Sequence, residues 1–200
     1  MLLLTQSSIR LSILTAAVPV TKTIGKIHSP FSHKEVRAIH YRTAHQVLQP
    51  GTILLSRTNG EFSNLVIPGY WSHAAVYAGG DSVVEAVGKG VVETDLIDFM
   101  LSKDHVAGFV PLFATPEQMA AAAMWAMTQK GLPYDYLLTM ALKAFYCSKL
   151  GYMAYLNSVP DCPWKLRKTW DIETVTPDDY AKATKLWRKV LDTKTSLVTA

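Results

Sequence analysis

Cysteine and histidine are the residue types of this sequence that supply nucleophilic and acid–base chemistry at neutral pH. Cys147 lies in the stretch FYCSKLGYMAYL, where the apolar residues after it have helical spacing, so the first turn of a predicted helix contains the thiol. The dipole at a helix N-terminus lowers the pKa of a thiol and makes thiolate available near neutral pH. Cys147 is therefore a candidate nucleophile, and a buried structural cysteine is the alternative.

The second cysteine is a weaker candidate. Cys162 lies between two prolines in the stretch PDCPWK, where no helix begins. Two cysteines are too few for a disulfide framework, and they lack the spacing of a zinc site. We expect neither a metal nor another cofactor.

His73 is the candidate base among the six histidines. It opens the apolar run HAAVYAG directly after GYWS, and a strand there would hold the ring rigidly. Glu85 interrupts the next apolar run, SVVEAV, and a hairpin about residues 79–81 brings it near His73. A carboxylate beside an imidazole fixes the tautomer of the ring and stabilises the imidazolium. The alternatives are a core histidine without a chemical role and a glutamate that faces solvent.

Short β-rich runs must position these side chains. Turn signals at residues 78–81 and 88–90 separate neighbouring runs and predict hairpins. The pattern predicts an antiparallel meander, with strands at residues 52–56, 73–79, 82–87, 90–96 and 105–112.

Helices are predicted to follow the strands. Thr115 and Gln118 form a capping box around Pro116, and Gly131 ends the helix that begins there. Residues 134–159 are predicted to hold one or two helices. The C-terminal part is predicted to hold a loop or short strand and then a helix, with Asp178 and Asp179 near its start. This order predicts an α+β domain.

The first 48 residues form a predicted helical arm, and residues 49–200 form the main domain. A short helix is expected over residues 1–20 and a linker over 21–31. A second helix is expected to run from a capping box at Ser32 and Glu35 to about Leu48. The residues expected on one face of that helix are Val36, Ile39, Thr43 and Val47.

Charge is uneven along the chain. The first 50 residues carry six basic residues and one acidic residue, so their formal net charge is +5. Because the formal net charge of the whole chain is +4, the remaining residues are nearly neutral. A basic arm on a near-neutral body suggests an anionic surface or a protein as partner, and a solvated helix face is the alternative. No module that binds nucleic acid specifically is evident.

The N-terminus is apolar but interrupted. Arg10 splits the apolar run, so we expect no transmembrane span, and the basic region of a signal peptide is missing. A cytoplasmic or virion-associated protein is favoured over a secreted one.

Several pieces in this order resemble a known family. They cover roughly residues 49–182, and Cys147 follows His73 by 74 residues. The pieces are PGTILL, GYWSHAAVYAG, VVEA, KGVVETDLIDF, GLPYD, FYCSKL and TPDDY. The chain resembles the circularly permuted papain-like cysteine amidases, which are relatives of the NlpC-type cell-wall peptidases, of lecithin retinol acyltransferase and of a group of poxvirus proteins.

The resemblance implies a permuted papain-like (NlpC-type) fold and a set of site residues. Cys147 would be the nucleophile, His73 the general base and Glu85 the third, polar member. The family motifs place further residues at the site or its helix, namely Pro133, Tyr134, Asp135 and Ser148. Many relatives have an acidic residue after the Cys-Ser pair where this chain has Lys149, which is expected to alter the charge near the cleft.

Three functions stay open at this point. The first is cleavage of an amide or peptide bond, for instance in peptidoglycan stem peptides, with Tyr70 and Trp71 lining the cleft. The second is acyl transfer or lipid ester hydrolysis by the same residues, which the apolar N-terminus and basic arm would favour near a membrane. The third is a non-catalytic binding or assembly protein on this scaffold, although intact Cys147, His73 and Glu85 argue against it.

Overall fold

In the computed structural model, residues 35–60, 67–169 and 172–195 are described. They form five helices: α1 Ala38–Val47, α2 Leu96–Leu101, α3 Pro116–Thr128, α4 Cys147–Ser158 and α5 Pro177–Lys182. They also form eight strands: β1 Ile53–Arg57, β2 His73–Gly79, β3 Ser82–Val87, β4 Gly90–Asp95, β5 His105–Pro111, β6 Arg167–Thr169, β7 Ile172–Thr174 and β8 Trp187–Asp192. The predictions for residues 1–34 lie outside the described residues.

Six of the strands form one antiparallel sheet. Its order is β4-β3-β2-β1-β5-β8, so the first four strands are a meander, β5 returns to the other side of β1, and β8 extends the sheet beyond β5. Strands β6 and β7 form a separate hairpin. The five predicted strands and both predicted hairpin turns are confirmed.

Helices cover both faces of this sheet. One face packs into a core cluster with α3 and α4, and the opposite face packs into a second cluster with α1 and α2. Ile53, Leu54 and Leu55 are consecutive and all fully buried. Burial on both faces explains why the strands are continuous apolar runs, since an antiparallel sheet with one wet face alternates apolar and polar residues.

Helices α3 and α4 begin where the sequence predicts. Thr115 Oγ1 accepts from the backbone N–H of Gln118 at 3.3 Å, and Gln118 Oε1 accepts from the backbone N–H of Thr115 at 2.9 Å. Gly131 follows the end of α3 with φ of 89°, a value that favours glycine. Helix α4 begins at Cys147, and the residues between α3 and α4 are irregular.

The predicted C-terminal helix is mostly wrong. Helix α5 spans only six residues, and the chain then enters β8, which pairs with β5. Trp187, Val190 and Leu191 are buried by this pairing. Their i, i+3, i+4 spacing fits one helical face, so the contact with the sheet overrides the local pattern.

Helix α1 begins later than predicted. It starts at Ala38, so the predicted capping role of Glu35 is wrong; that carboxylate instead lies 3.5 Å from the ammonium of Lys194. The predicted buried face is also only partly correct, because Ile39 is 57% exposed whereas Ala44 is fully buried. The boundary at residue 48 stays a prediction.

Helix α2 is an element that the sequence did not predict. Its N-cap is Asp95, which accepts from the backbone N–H of Ile97 at 2.8 Å. Within residues 35–60, 67–169 and 172–195, no helix is both long and apolar enough to cross a bilayer.

Candidate active site

Cys147 is the first residue of α4 and is 4% exposed. The preceding residue, Tyr146, is extended and holds the start of the helix through its hydroxyl, which lies 2.7 Å from Thr174 Oγ1 and accepts from the backbone N–H of Val175 at 3.3 Å. The first backbone N–H groups of a helix have no acceptor within the helix. The thiol therefore lies where backbone donors are available to stabilise negative charge.

His73 opens β2 and meets Glu85 from β3. Its Nε2 lies 2.7 Å from Glu85 Oε2, and the other carboxylate oxygen accepts from Thr94 Oγ1 at 2.7 Å. The side chains of His73 and Cys147 also interact, since Cys147 raises the pKa of His73 and His73 lowers the pKa of Cys147. The structure thus brings the three predicted residues Cys147, His73 and Glu85 into one contiguous chain of contacts.

The pKa values of His73, Glu85 and Cys147 are all shifted in the direction that favours the charged form of each group. Burial disfavours the imidazolium of His73, but contacts with Cys147 and Glu85 outweigh burial and raise its pKa to about 9. Burial likewise opposes the carboxylate, yet His73, Lys103 and Thr94 lower the pKa of Glu85 to about 2. At neutral pH the arrangement holds an imidazolium against a carboxylate.

The thiol completes this arrangement. Burial raises the pKa of Cys147, but the hydrogen bond and charge of His73, together with the backbone N–H groups of Ala74 and Ser148, lower it below the ordinary value. A thiolate and an imidazolium therefore coexist over part of the pH range. Because the two groups titrate together, their apparent pKa values belong to the pair.

Three other predicted site residues lie around Cys147. Ser148 is buried, and its hydroxyl donates to the carbonyl oxygen of Val175 at 2.8 Å. Asp135 is also buried, whereas Tyr134 is half-buried, with its ring 4.8 Å from that of Tyr136. Burial and the charge of Cys147 both raise the pKa of Tyr134, which places this phenol in the electrostatic environment of the thiol. Their roles toward a substrate stay predictions.

The aromatic pair before His73 divides between core and surface. Trp71 is 7% exposed, its ring centroid lies 4.5 Å from that of His105, and its backbone N–H donates to Asp178 Oδ1 at 2.8 Å. Tyr70 is 42% exposed, and its hydroxyl lies 2.9 Å from Nδ1 of His105. Of the two, Tyr70 has the surface available to touch a ligand.

Lys149 is fully buried. Its ammonium donates to the carbonyl oxygens of Ala141 and Ala144 at 2.6 Å each and to Asp135 Oδ2 at 3.2 Å. Burial lowers the pKa of Lys149, although Asp135 opposes this shift. The side chain fastens the segment that precedes Cys147 onto α4, and its charge is compensated inside the protein.

Two residues that contact predicted site residues, Thr94 and Asp178, were not identified as part of the site from the sequence. Thr94 lies on β4 diagonally across from Glu85, which pairs with Val92, and diagonal neighbours on one face are within reach. The strand register was therefore a usable signal for Thr94. Asp178, 107 residues from its partner Trp71, had no comparable local signal.

Neither cysteine forms a disulfide. Cys162 is buried in a non-helical segment of the larger core cluster, as the sequence suggested for a residue between prolines. Among the residues that the structure describes, no group of three or more histidine, cysteine, aspartate or glutamate side chains could hold a metal ion.

Comparisons with known proteins bear on the fold and the family of the chain. No curated protein matches the chain. Among solved structures, YiiX from Escherichia coli O157:H7, described as a metalloprotein, is similar, with 21% sequence identity over 72% of this chain and 88% of that chain and a TM-score of 0.51. At this identity the likeness shows the fold, a permuted papain-like arrangement of helices on an antiparallel sheet. The model of the permuted papain-like amidase enzymes of the YaeF/YiiX, C92 family matches residues 47–194, and the chain belongs to that family.

Proposed function

We propose that this protein is a cysteine amidase or peptidase in which Cys147 is the nucleophile, His73 the general acid and base, and Glu85 the group that orients His73. Family membership supports a cysteine hydrolase of the amidase or peptidase type. The observation that supports these residue roles is the continuous contact of thiol, imidazole and carboxylate, with Nε2 of His73 2.7 Å from Glu85.

The first half of the reaction forms a thioester. The thiolate of Cys147 attacks the acyl carbon, and the carbonyl oxygen becomes an oxyanion. The backbone N–H of Cys147, at the first position of α4, is a donor for that oxyanion. When the tetrahedral intermediate collapses, the bond from carbon to the leaving nitrogen breaks, and the imidazolium of His73 gives that nitrogen its proton.

The second half returns the enzyme to its starting state. Neutral His73 takes a proton from water, the resulting hydroxide attacks the thioester carbon, and the bond from carbon to sulfur breaks to release the thiolate and a carboxylic acid. Glu85 stays ionised throughout and stabilises the imidazolium each time it forms. Thr94 fixes the orientation of the carboxylate by donating to its other oxygen.

The substrate that we propose is a peptide-like amide. The family's description as amidases supports this class, and the resemblance to NlpC-type enzymes suggests stem peptides of peptidoglycan within it. Although YiiX is described as a metalloprotein, the described residues of this chain offer no cluster of three ligands for a metal. No step of the proposal therefore uses a metal ion.

A second candidate substrate is an acyl ester, with a lipid as its source or acceptor. The segment before Cys147 supports it, because Leu137 is 40% exposed and Leu142 is 52% exposed. We propose that these two leucines form part of an apolar surface next to the cleft, which would favour an apolar ligand. Any anionic partner of the basic arm stays a prediction.

Model substrates test the proposal. Cys147→Ala and His73→Ala should each reduce hydrolysis of a stem peptide or of short- and long-chain p-nitrophenyl esters by roughly 10³-fold or more, with unchanged circular dichroism. Cys162→Ala is the matched control and should keep full activity. Intact-mass spectrometry should detect an acyl adduct on the wild type and none on Cys147→Ala. A dead Cys162→Ala or an active Cys147→Ala would show that the residue roles are wrong.

A further inference from the structure

One buried segment contacts residues that flank both members of the candidate dyad, Cys147 and His73. Residues 174–180, called the clamp segment here, run from the end of β7 into α5 and are buried throughout. The nucleophile comes from a helix and the base from a strand, and neither element is next to the other along the chain. Helix α4 packs directly against β2, and a segment that ties both elements together near Cys147 and His73 would fix their spacing further.

The clamp segment holds the start of α4 on both sides of Cys147. Before the nucleophile, the hydroxyl of Tyr146 accepts from the backbone N–H of Val175 at 3.3 Å. After it, the hydroxyl of Ser148 donates to the carbonyl oxygen of Val175 at 2.8 Å, and the hydroxyl of Tyr180 donates to the carbonyl oxygen of Ser148 at 2.7 Å. These buried bonds fix the position of the helix N-terminus.

The same segment holds the chain that leads into His73. Asp178 is 6% exposed, and its Oδ1 accepts from the backbone N–H of Trp71 at 2.8 Å. Its Oδ2 lies 2.9 Å from the ammonium of Lys182. The approach is close, because a Cβ atom at Gly69, where φ is 112°, would lie 2.3 Å from the carboxyl carbon of Asp178. The loop before His73 is thus tied directly to the segment that holds Cys147.

We propose that the clamp segment sets the distance between the Cys147 thiol and the His73 imidazole, and that Asp178 is its positioning residue. Asp178 acts through Trp71, two residues before His73, and does not itself touch the reacting atoms. This inference rests on the proposed function, because it concerns the same dyad.

The physical basis is the distance dependence of the ion pair. The attraction between a thiolate and an imidazolium weakens as they separate, and it weakens further when water enters between them. Loss of the hydrogen bond to Trp71 also leaves a buried N–H without its acceptor, which favours movement of the loop. A loosened pair should have a higher thiol pKa and a lower imidazole pKa.

The test is the pH dependence of alkylation of Cys147 by iodoacetamide, followed by peptide mass spectrometry in the full chain. Asp178→Ala should raise the apparent pKa of the thiol by roughly one unit, which is about tenfold less thiolate at a pH well below the pKa. Asp178→Asn keeps an acceptor oxygen for Trp71 and should stay close to the wild type. The matched control is Asp95→Ala, which also removes a carboxylate that accepts a backbone N–H, in this case at the N-terminus of α2. This variant should leave the pKa of the Cys147 thiol unchanged.

The outcomes separate the two proposals. An ordinary thiol pKa in the wild type contradicts the proposed dyad itself. A low pKa in the wild type that Asp178→Ala leaves unchanged overturns the clamp alone, as does an Asp178→Asn variant that shifts as far as the alanine variant. If Asp178→Ala does not fold, Gly69→Ala decides, because its added methyl group pushes against the intact carboxylate and should raise the thiol pKa in the same direction.

Discussion

Replacing Glu85 with glutamine should lower the pKa of His73, which is about 9 in the wild type, by roughly 1 to 3 units. The carboxylate lies 2.7 Å from Nε2, so its charge stabilises the imidazolium directly. Glutamine retains an oxygen for Nε2 and an amide for Thr94, but the negative charge is gone while burial remains. Each unit corresponds to about 1.4 kcal/mol of lost preference for the imidazolium.

The measurement is a titration of the histidine ring Cε1–H resonances by NMR. The His73 signal is assigned by its absence from His73→Ala, and the six histidines of the chain make this tractable. Glu93→Gln is the matched control, because Glu93 is an exposed glutamate on β4 that contacts Ser82 and Lys130 instead of the ring. That variant should leave the His73 titration unchanged.

The direction in which activity changes with pH follows from the positive charge that the mechanism requires on His73. A mechanism that needs the imidazolium works below the pKa of His73 and loses activity as the pH rises through it. The alkaline limb of kcat/KM should therefore move down with the NMR pKa in Glu85→Gln, whereas the acid limb should move far less because Glu85 contacts the ring and not the thiol. A wild-type His73 pKa near the ordinary 6.5, or the same value in both proteins, would refute this reasoning.

Two further predictions concern buried charges elsewhere. Lys149→Met should lower the free energy of unfolding in urea by about 3 to 5 kcal/mol, because the Asp135 carboxylate loses its buried partner; adding Asp135→Asn should recover part of the loss, and an equally unstable double variant would contradict the pairing. Although burial opposes it, contacts with His105 and Lys189 lower the pKa of Asp192. The ionised Asp192 stabilises the folded protein above the unfolded pKa of about 3.9, and this stabilisation is lost as the pH falls through the lowered pKa of the folded state. The urea midpoint of the wild type should therefore fall more steeply with decreasing pH than that of Asp192→Asn.

Local pattern was sufficient to predict the strands and the pairing of His73 with Glu85. The apolar runs and glycine turns set the hairpin, and the hairpin alone brings the carboxylate of Glu85 to the ring of His73. The start of α4 at Cys147 was also predictable, because the helical spacing begins there. These features depend on neighbours in the sequence or on one tight turn.

Features that depend on distant partners were not predictable in this way. The stretch WRKVLD becomes β8 only because β5 lies beside it, and its own spacing also fits a helix. Lys149, which was expected near the cleft, is buried because Asp135 and two backbone carbonyls surround its ammonium. Composition and periodicity do not indicate which distant residues will become such partners.

The contact between Trp71 and Asp178 also bears on how the protein folds. Their hydrogen bond joins residues 107 positions apart, and the sheet closes through the pairing of β5 with the much later β8. Chains dominated by such long-range pairs fold slowly, because the entropy of closing long loops is lost before the contacts form. The surroundings of His73 and Cys147 can be complete only once almost the whole described chain has folded. Recovery of thiol reactivity during refolding should therefore report the last steps of folding and not the first.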